Sequence, residues 1–236
     1  EFNVTDGRAK YLDNKLVFMN IGDKEKESLK LLAEAISVSL RYVAEQNIKF
    51  KQFKITTSSK EAQIEVDGEL KKVGFGSSAA VVVATVAAIL DFHDYHASKE
   101  EIYKLSTIAH YFAQGKVGSA FDVAASTYGG LFVYSRFDPD WLTRKVESGE
   151  KLTSIVKEKW SSLVVEELNI PENFRLLVAW TKESASTTNM IKQMNEFKKN
   201  NPDKYNKLFS NIAGCAKNVI EAWKNNDFEL VTIELQ

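Results

Sequence analysis

The longest apolar stretch of the chain, Ala79 to Leu90, is broken only by Thr85. It is too short to cross a bilayer, which takes about 20 apolar residues in a helix. The stretch is expected to be a small-residue helix running from Ala79 to about Phe92. Ala79, Ala80, Ala84, Ala87 and Ala88 keep it slim, so that it can pack close to a sheet. Immediately before it stands Val73-Gly74-Phe75-Gly76-Ser77-Ser78. In a chain with only 11 Gly and 3 Pro, such clustering is informative.

Glycines let a backbone turn sharply and approach a ligand closely, and Ser77 or Ser78 can cap the helix that follows. The first N–H groups of that helix have no intrahelical acceptor, and the helix dipole is positive there. A polyphosphate supplies both the acceptors and the negative charge, and a serine hydroxyl could also reach a phosphate-bound Mg²⁺. Other readings exist. Gly74-x-Gly76-x-x-Ala79 formally satisfies the dinucleotide fingerprint, but its approach, Glu69-Leu70-Lys71-Lys72, is charged, and Asp91 arrives too early for the ribose acid. A phosphate loop of the G-K-[S/T] kind is absent. A plain glycine turn with a serine cap is the structural alternative.

A second constellation is Gln114-Gly115-Lys116-Val117-Gly118-Ser119-Ala120-Phe121-Asp122. Two glycines give a flexible approach, Lys116 offers a cation, and Asp122 sits where a short helix begins. Taken alone, Asp122 could equally cap the helix Val123 to Thr127, with Lys116 solvated.

Elsewhere, Lys24 to Gln46 is expected to be one amphipathic helix, since Leu29, Leu32, Ile36, Leu40 and Val43 recur at three- and four-residue steps. Phe53 to Thr56 and Gln63 to Val66 alternate like strands, and Asp67-Gly68 suits a hairpin turn. Ser98 to Gln114 reads as a helix with Ser98 and Glu101 as its capping box. Gly129-Gly130 ends the short helix, Leu131 to Tyr134 follows as a strand, and Phe174 to Trp180 reads as a buried strand. Helices then cover Asn189 to Lys199, Asp203 to Lys224 and a start from Asp227. The order favours an α+β fold with a boundary near 165–172, giving segments 1–168 and 169–236.

The two loops together resemble those of the GHMP kinases, the family of galactokinase, homoserine kinase, mevalonate kinase and phosphomevalonate kinase. The run Ala109-His110 to Tyr128-Gly129 looks most like the phosphomevalonate branch, as does Trp180-Thr181-Lys182-Glu183-Ser184-Ala185-Ser186-Thr187. The resemblance covers Phe53 to Thr188 in order. It implies a two-lobe α+β fold, with a ribosomal protein S5 domain 2-like N-terminal lobe and a helical, ferredoxin-like C-terminal lobe. It also implies ATP and Mg²⁺ as cofactors. Gly74, Phe75, Gly76, Ser77, Ser78 and Ala79 would wrap the phosphates, and Ser78 matches the Mg²⁺-contacting position. Asp122 matches the aspartate facing the acceptor, and Ser119, Ser186 and Thr187 fall near that acceptor. The implied activity is transfer of the ATP γ-phosphoryl group to phosphomevalonate, with Asp122 and Lys116 as the residues that carry it; the alternatives are a mevalonate kinase, a diphosphomevalonate decarboxylase or a non-catalytic nucleotide-binding relative. Asp122 is expected to hold the acceptor's hydroxyl or to organise Lys116.

Mevalonate kinases place a metal-binding glutamate on the helix before the aspartate loop. No carboxylate stands between Glu101 and Asp122 here, which points away from that branch. The family's N-terminal glycine–lysine segment and C-terminal glycine-rich segment have no counterpart, so the chain is expected to be a fragment, incomplete at both ends.

Composition narrows the partners. With 31 Lys+Arg against 32 Asp+Glu, net charge −1, the balance argues against a bulk basic surface for nucleic acid and leaves room for local cationic sites. The expected partner is a small-molecule substrate, with no nucleic acid and no membrane, in a monomer or homodimer. The single cysteine, Cys215, cannot form an internal disulfide, which suits a reducing cytoplasm. It is expected to pack inside its helix. His93 and His96 are expected at a surface helix end, His110 in local hydrogen bonding near the second loop, and Trp141, Trp160 and Trp223 in packing.

Overall fold

The computed structural model describes residues 8–58, 63–66, 68–72, 74, 76–179 and 187–236. The chain divides into two compact units, one of Glu1–Gln63 with Phe75–Ile170, the other of Ile64–Gly74 with Pro171–Gln236.

The first unit opens with a hairpin of β1 (Ala9–Leu12) and β2 (Lys15–Phe18), antiparallel with Leu12 opposite Lys15. Asp13 and Asn14 between them both take positive φ, the turn that matches strand twist. Two helices follow, α1 (Asp23–Ser28) and α2 (Lys30–Glu45), where the sequence suggested one. The break falls at Leu29, with φ −93° and ψ 1°. α1 is charged throughout and buries nothing, so no packing compels it to continue the axis of α2. α2 buries Ala35, Val38, Tyr42 and Val43 on one face.

Residues 53–56 form no strand. Their alternation is nonetheless real: Phe53 and Ile55 pack on Ile36, Leu40 and Ile89, while Lys54 and Thr56 face outward. The period-two pattern marked which side chains are covered; among the described residues no strand supplies the ladder.

α3 (Ser77–Phe92) is the centre of the unit, with Ala79, Val82 and Val86 fully buried. Its main neighbours are helices α2, α4 (Lys99–Ala113) and α5 (Phe121–Tyr128), not the expected sheet. Ala80, Ala84 and Ala88 lie on its exposed side. Strand β5 (Leu131–Ser135) pairs antiparallel with β6 (Val164–Leu168), Leu131 opposite Leu168. Between them run α6 (Pro139–Glu147) and α7 (Leu152–Lys157). Trp160, 1% exposed, closes this side against Tyr103, Phe137 and Trp141.

Ser98 caps α4 as anticipated: its hydroxyl accepts from the Glu101 N–H, and Glu101 accepts in return from the Ser98 N–H at 2.8 Å. The same carboxylate accepts from Tyr95 (2.5 Å) and the fully buried Tyr42 (2.9 Å). Partial burial pushes the Glu101 pKa up, but the hydrogen bonds from Tyr95, Ser98 and Tyr42 outweigh it and hold the pKa below 4.5. A lowered folded pKa means that this stabilisation is complete above about pH 4.5 and is lost as pH falls through the folded value. Glu101→Ala should therefore lower unfolding free energy by about 2 kcal/mol, from the lost cap and from a tyrosine proton left without its carboxylate acceptor, since Tyr42 and Tyr95 can donate only one hydrogen bond between themselves. Urea titrations at neutral pH and near pH 3.5 check this: the gap between wild type and variant should shrink at the lower pH.

Buried His93, 1% exposed, corrects the expected surface position. Its Nδ1 meets the Ile89 carbonyl at 2.7 Å, and its Nε2 accepts from the Lys51 N–H at 3.2 Å. Phe50, Phe53 and Phe92 surround it.

The second unit holds β3 (Gln63–Val66) and β4 (Glu69–Lys72), paired as foreseen. It also holds α8 (Thr187–Asn200), α9 (Pro202–Lys224) and α10 (Phe228–Glu234), with Asp227 capping α10. Trp223 packs edge-on against Phe174 and Phe228. Two expectations fail here. Residues 174–179 form no strand, and Leu176, Leu177 and Val178 are 76%, 92% and 69% exposed, so an apolar run alone did not secure a partner. Cys215 is exposed rather than packed. No helix among the described residues is long and apolar enough to cross a membrane.

Candidate functional site

The N-cap of α3 is Gly76, not a serine as expected. Its φ of 74° and ψ of 30° lie in the left-handed region, open to glycine at little cost. Ser77, Ser78 and Ala79 therefore occupy the first turn itself. Among the described residues no side chain caps this end, so the helix's first N–H groups keep their capacity for an anionic ligand.

The second loop leaves α4 through Gly115 and Lys116, both at positive φ, and re-enters helix through Gly118 and Ala120, also at positive φ. This is a tightly wound connection, secured at its start by the Lys116 N–H donating to the Tyr111 carbonyl at 2.8 Å. Near its end the Tyr134 hydroxyl donates to the Ser119 carbonyl at 2.5 Å. Because that proton is committed, the Tyr103 hydroxyl, 2.9 Å away, must donate to Tyr134. Burial raises both tyrosine pKa values, with the negative charge of Asp122 adding to the effect, so both stay protonated donors. This relay from the core to the loop backbone had no signal in the sequence, because it joins three segments that pattern reading treats separately.

Asp122 sits in the first turn of α5, half-buried, with Oδ1 accepting from the Val123 N–H at 2.9 Å. Acidic side chains are favoured there by the helix dipole. The decisive distance is across the two loops: a Cβ built on Gly76 would stand 3.8 Å from the Asp122 Cβ. Hence the α3 tip and the carboxylate share one place within the first unit. Behind Asp122 lies His110 of α4, 4% exposed, its Nε2 4.0 Å from Oδ2. Burial lowers the His110 pKa, opposed by the Asp122 charge.

Lys116 is not found with Asp122. Its Nζ is ion-paired with Glu147 of α6 and lies 5.7 Å over the Phe112 ring. Glu147, 31 residues downstream, gave no hint of this in the sequence. Ser119 is half-buried in the loop, and Gly74 is exposed and belongs to the second unit. Phe75 and Ser186 lie outside the described residues, as does the side chain of Thr187. Among the described residues no group of three or more His, Cys, Asp or Glu could hold a metal ion.

Residues 33–130 match the family described as GHMP kinases N terminal domain. Among curated relatives, the chain is 29% identical over 209 residues to a phosphomevalonate kinase of Streptomyces sp. (strain CL190), covering 87% of this chain and 53% of that protein. It is 31% identical over 149 residues to phosphomevalonate kinase erg8 of Aspergillus fumigatus, covering 56% of this chain and 31% of that one. The chain thus spans about half, or less, of the length of these relatives. Its fold matches the phosphomevalonate kinase of Streptococcus pneumoniae, solved in complex with phosphomevalonate and AMPPNP. The TM-score is 0.74 at 22% identity, covering 98% of this chain and 65% of that one. With a glycine-capped helix tip set against Asp122 inside the matched segment, residues 33–130 are similar to the N-terminal domain of the GHMP kinases, and the mixed helix–strand chain has the fold of the solved phosphomevalonate kinase.

Proposed function

We propose that the protein is a phosphomevalonate kinase, transferring the ATP γ-phosphoryl group to 5-phosphomevalonate to give 5-diphosphomevalonate and ADP. The observation that supports this most is the 3.8 Å approach between Gly76 and Asp122, which sets a phosphate-binding helix end beside a carboxylate suited to an acceptor hydroxyl.

An acceptor phosphate oxygen attacks the γ-phosphorus, and the bond to the β,γ-bridging oxygen breaks, its electron pair leaving on ADP. A phosphate monoester has a second pKa of about 6, so the nucleophile is already largely dianionic at neutral pH. No general base is then required; the barrier lies in aligning two anions. The N–H groups of the first α3 turn hold the nucleotide phosphates, and Asp122 orients the acceptor through its C3 hydroxyl. Ser78, in that first turn with no capping role, fits as a ligand to Mg²⁺ carried by the phosphates, which neutralises their charge.

The test is an ADP-release assay on the intact protein with each acceptor separately. Phosphomevalonate should support turnover and mevalonate should not; the reverse would reassign the protein to the mevalonate kinase branch. Gly76→Val adds a branched side chain at φ 74° and thrusts it toward Asp122. It should weaken AMPPNP binding about tenfold or more by calorimetry, as expected from roughly 1–2 kcal/mol of left-handed strain at the tip.

A further inference from the structure

Resting on the reading of Asp122 as the acceptor-holding carboxylate, we infer that His110 is its positioning residue. With the exposed Gln114, the buried His110 forms a clamp that fixes the carboxylate at the α3 tip. Three observations converge. His110 is 4% exposed, yet its Nε2 edge faces Asp122 Oδ2 at 4.0 Å rather than an apolar neighbour. The same Nε2 lies 3.2 Å from Gln114 Nε2, one helical turn on. A Cβ built on Gly118 would stand 3.9 Å from Gln114 Oε1, so the amide spans from the imidazole to the loop that delivers Asp122.

The chemistry of the ring follows from these partners. Gln114 Nε2 is a donor, so the neutral imidazole accepts at Nε2 and carries its proton on Nδ1. Protonation turns Nε2 into a donor, for which Asp122 Oδ2 is the acceptor at hand, and the Gln114 amide must then rotate. The two states hold Asp122 differently, through the loop or by a direct ion pair. Burial favours the neutral state and the Asp122 charge opposes it. The groups that bear on the balance are Asp122 from α5 and, through the Asp122 charge that they share, Tyr103 of α4 and Tyr134 of β5.

The experiment combines NMR titration of the His110 ring nitrogens with kinetics on the intact protein. Wild type should show the Nδ1–H tautomer at neutral pH, and Asp122→Asn should lower the His110 pKa further, because a charge favouring the cation is gone. An unchanged His110 pKa in Asp122→Asn overturns the proposal. His110→Phe should lower kcat by about tenfold to a hundredfold, as expected for a displaced acceptor. Its KM for ATP should hold, and His110→Gln should recover part of the loss. Equal kcat in wild type and a folded His110→Phe also overturns it; if that variant does not fold, the titration decides alone. Should Asp122→Asn itself leave kcat intact, the kinase-site reading fails instead, while the titration still reports whether the two side chains are coupled.

Discussion

Asp122→Asn in the intact protein is expected to lower kcat by about a hundredfold to a thousandfold, the usual cost of losing one preorganised polar group at a reacting centre. The substitution keeps volume and leaves Oδ1 able to accept from the Val123 N–H, so the start of α5 should survive. KM for ATP should change little, because the proposed grip on the nucleotide comes from backbone N–H groups of α3 and not from this side chain. The pH–rate profile discriminates between roles. If the acceptor phosphate is its own nucleophile, the acid limb reports its ionisation near pH 6 and persists in the variant. Disappearance of that limb in Asp122→Asn would restore a general-base role for the carboxylate and rule out a nucleophile that ionises unaided.

Lys104→Ala is expected to cost about 3–4 kcal/mol of unfolding free energy, although this residue is far from conspicuous in the sequence. The Lys104 side chain is 2% exposed, and its Nζ donates to the Val156 and Glu158 carbonyls at 2.8 Å each. It also pairs with Glu100 at 2.7 Å and lies 5.9 Å over the Trp160 ring. Those carbonyls end α7, where the helix dipole favours a cation. Truncation leaves them without their donor beside Trp160 and opens a cavity, whereas losing the mostly exposed Glu100 alone should matter little. Lys104→Met keeps most of the volume and should cost about half as much, the remainder being the unmet carbonyls. Urea denaturation midpoints check the order. A loss below about 0.5 kcal/mol for Lys104→Ala would mean that the site behaves as an ordinary surface pair.

Legibility in the sequence tracked the range of the interaction responsible. The α4 boundary was readable because Ser98 and Glu101 stand three residues apart and close the cap between themselves. The Gly76 tip was readable because glycine clusters ahead of a helix have few structural uses, although the assignment of the cap to serine was mistaken. A left-handed N-cap was needed, and no propensity rule weighs φ against a hydroxyl. Residues 53–56 and 174–179 misled for a common reason: apolar patterns report what a side chain seeks, while a strand exists only where a second segment completes the ladder.

The sequence by itself determined the local pieces: the capped helices, the hairpin turn at Gly68, and two glycine loops about forty residues apart, each delivering a helix start. These follow from contacts within a few residues, where composition and spacing leave few alternatives. Only the tertiary structure decided that the two helix starts meet, that Lys116 belongs to Glu147, that His110 stands behind Asp122, and that Tyr103 and Tyr134 pin the loop between them. Each of those depends on how α3, α4 and α5 pack with one another or with α6 and β5, which is driven by non-directional burial of apolar side chains. Burial of that kind is written along the whole chain and shows its partners only once the chain has folded.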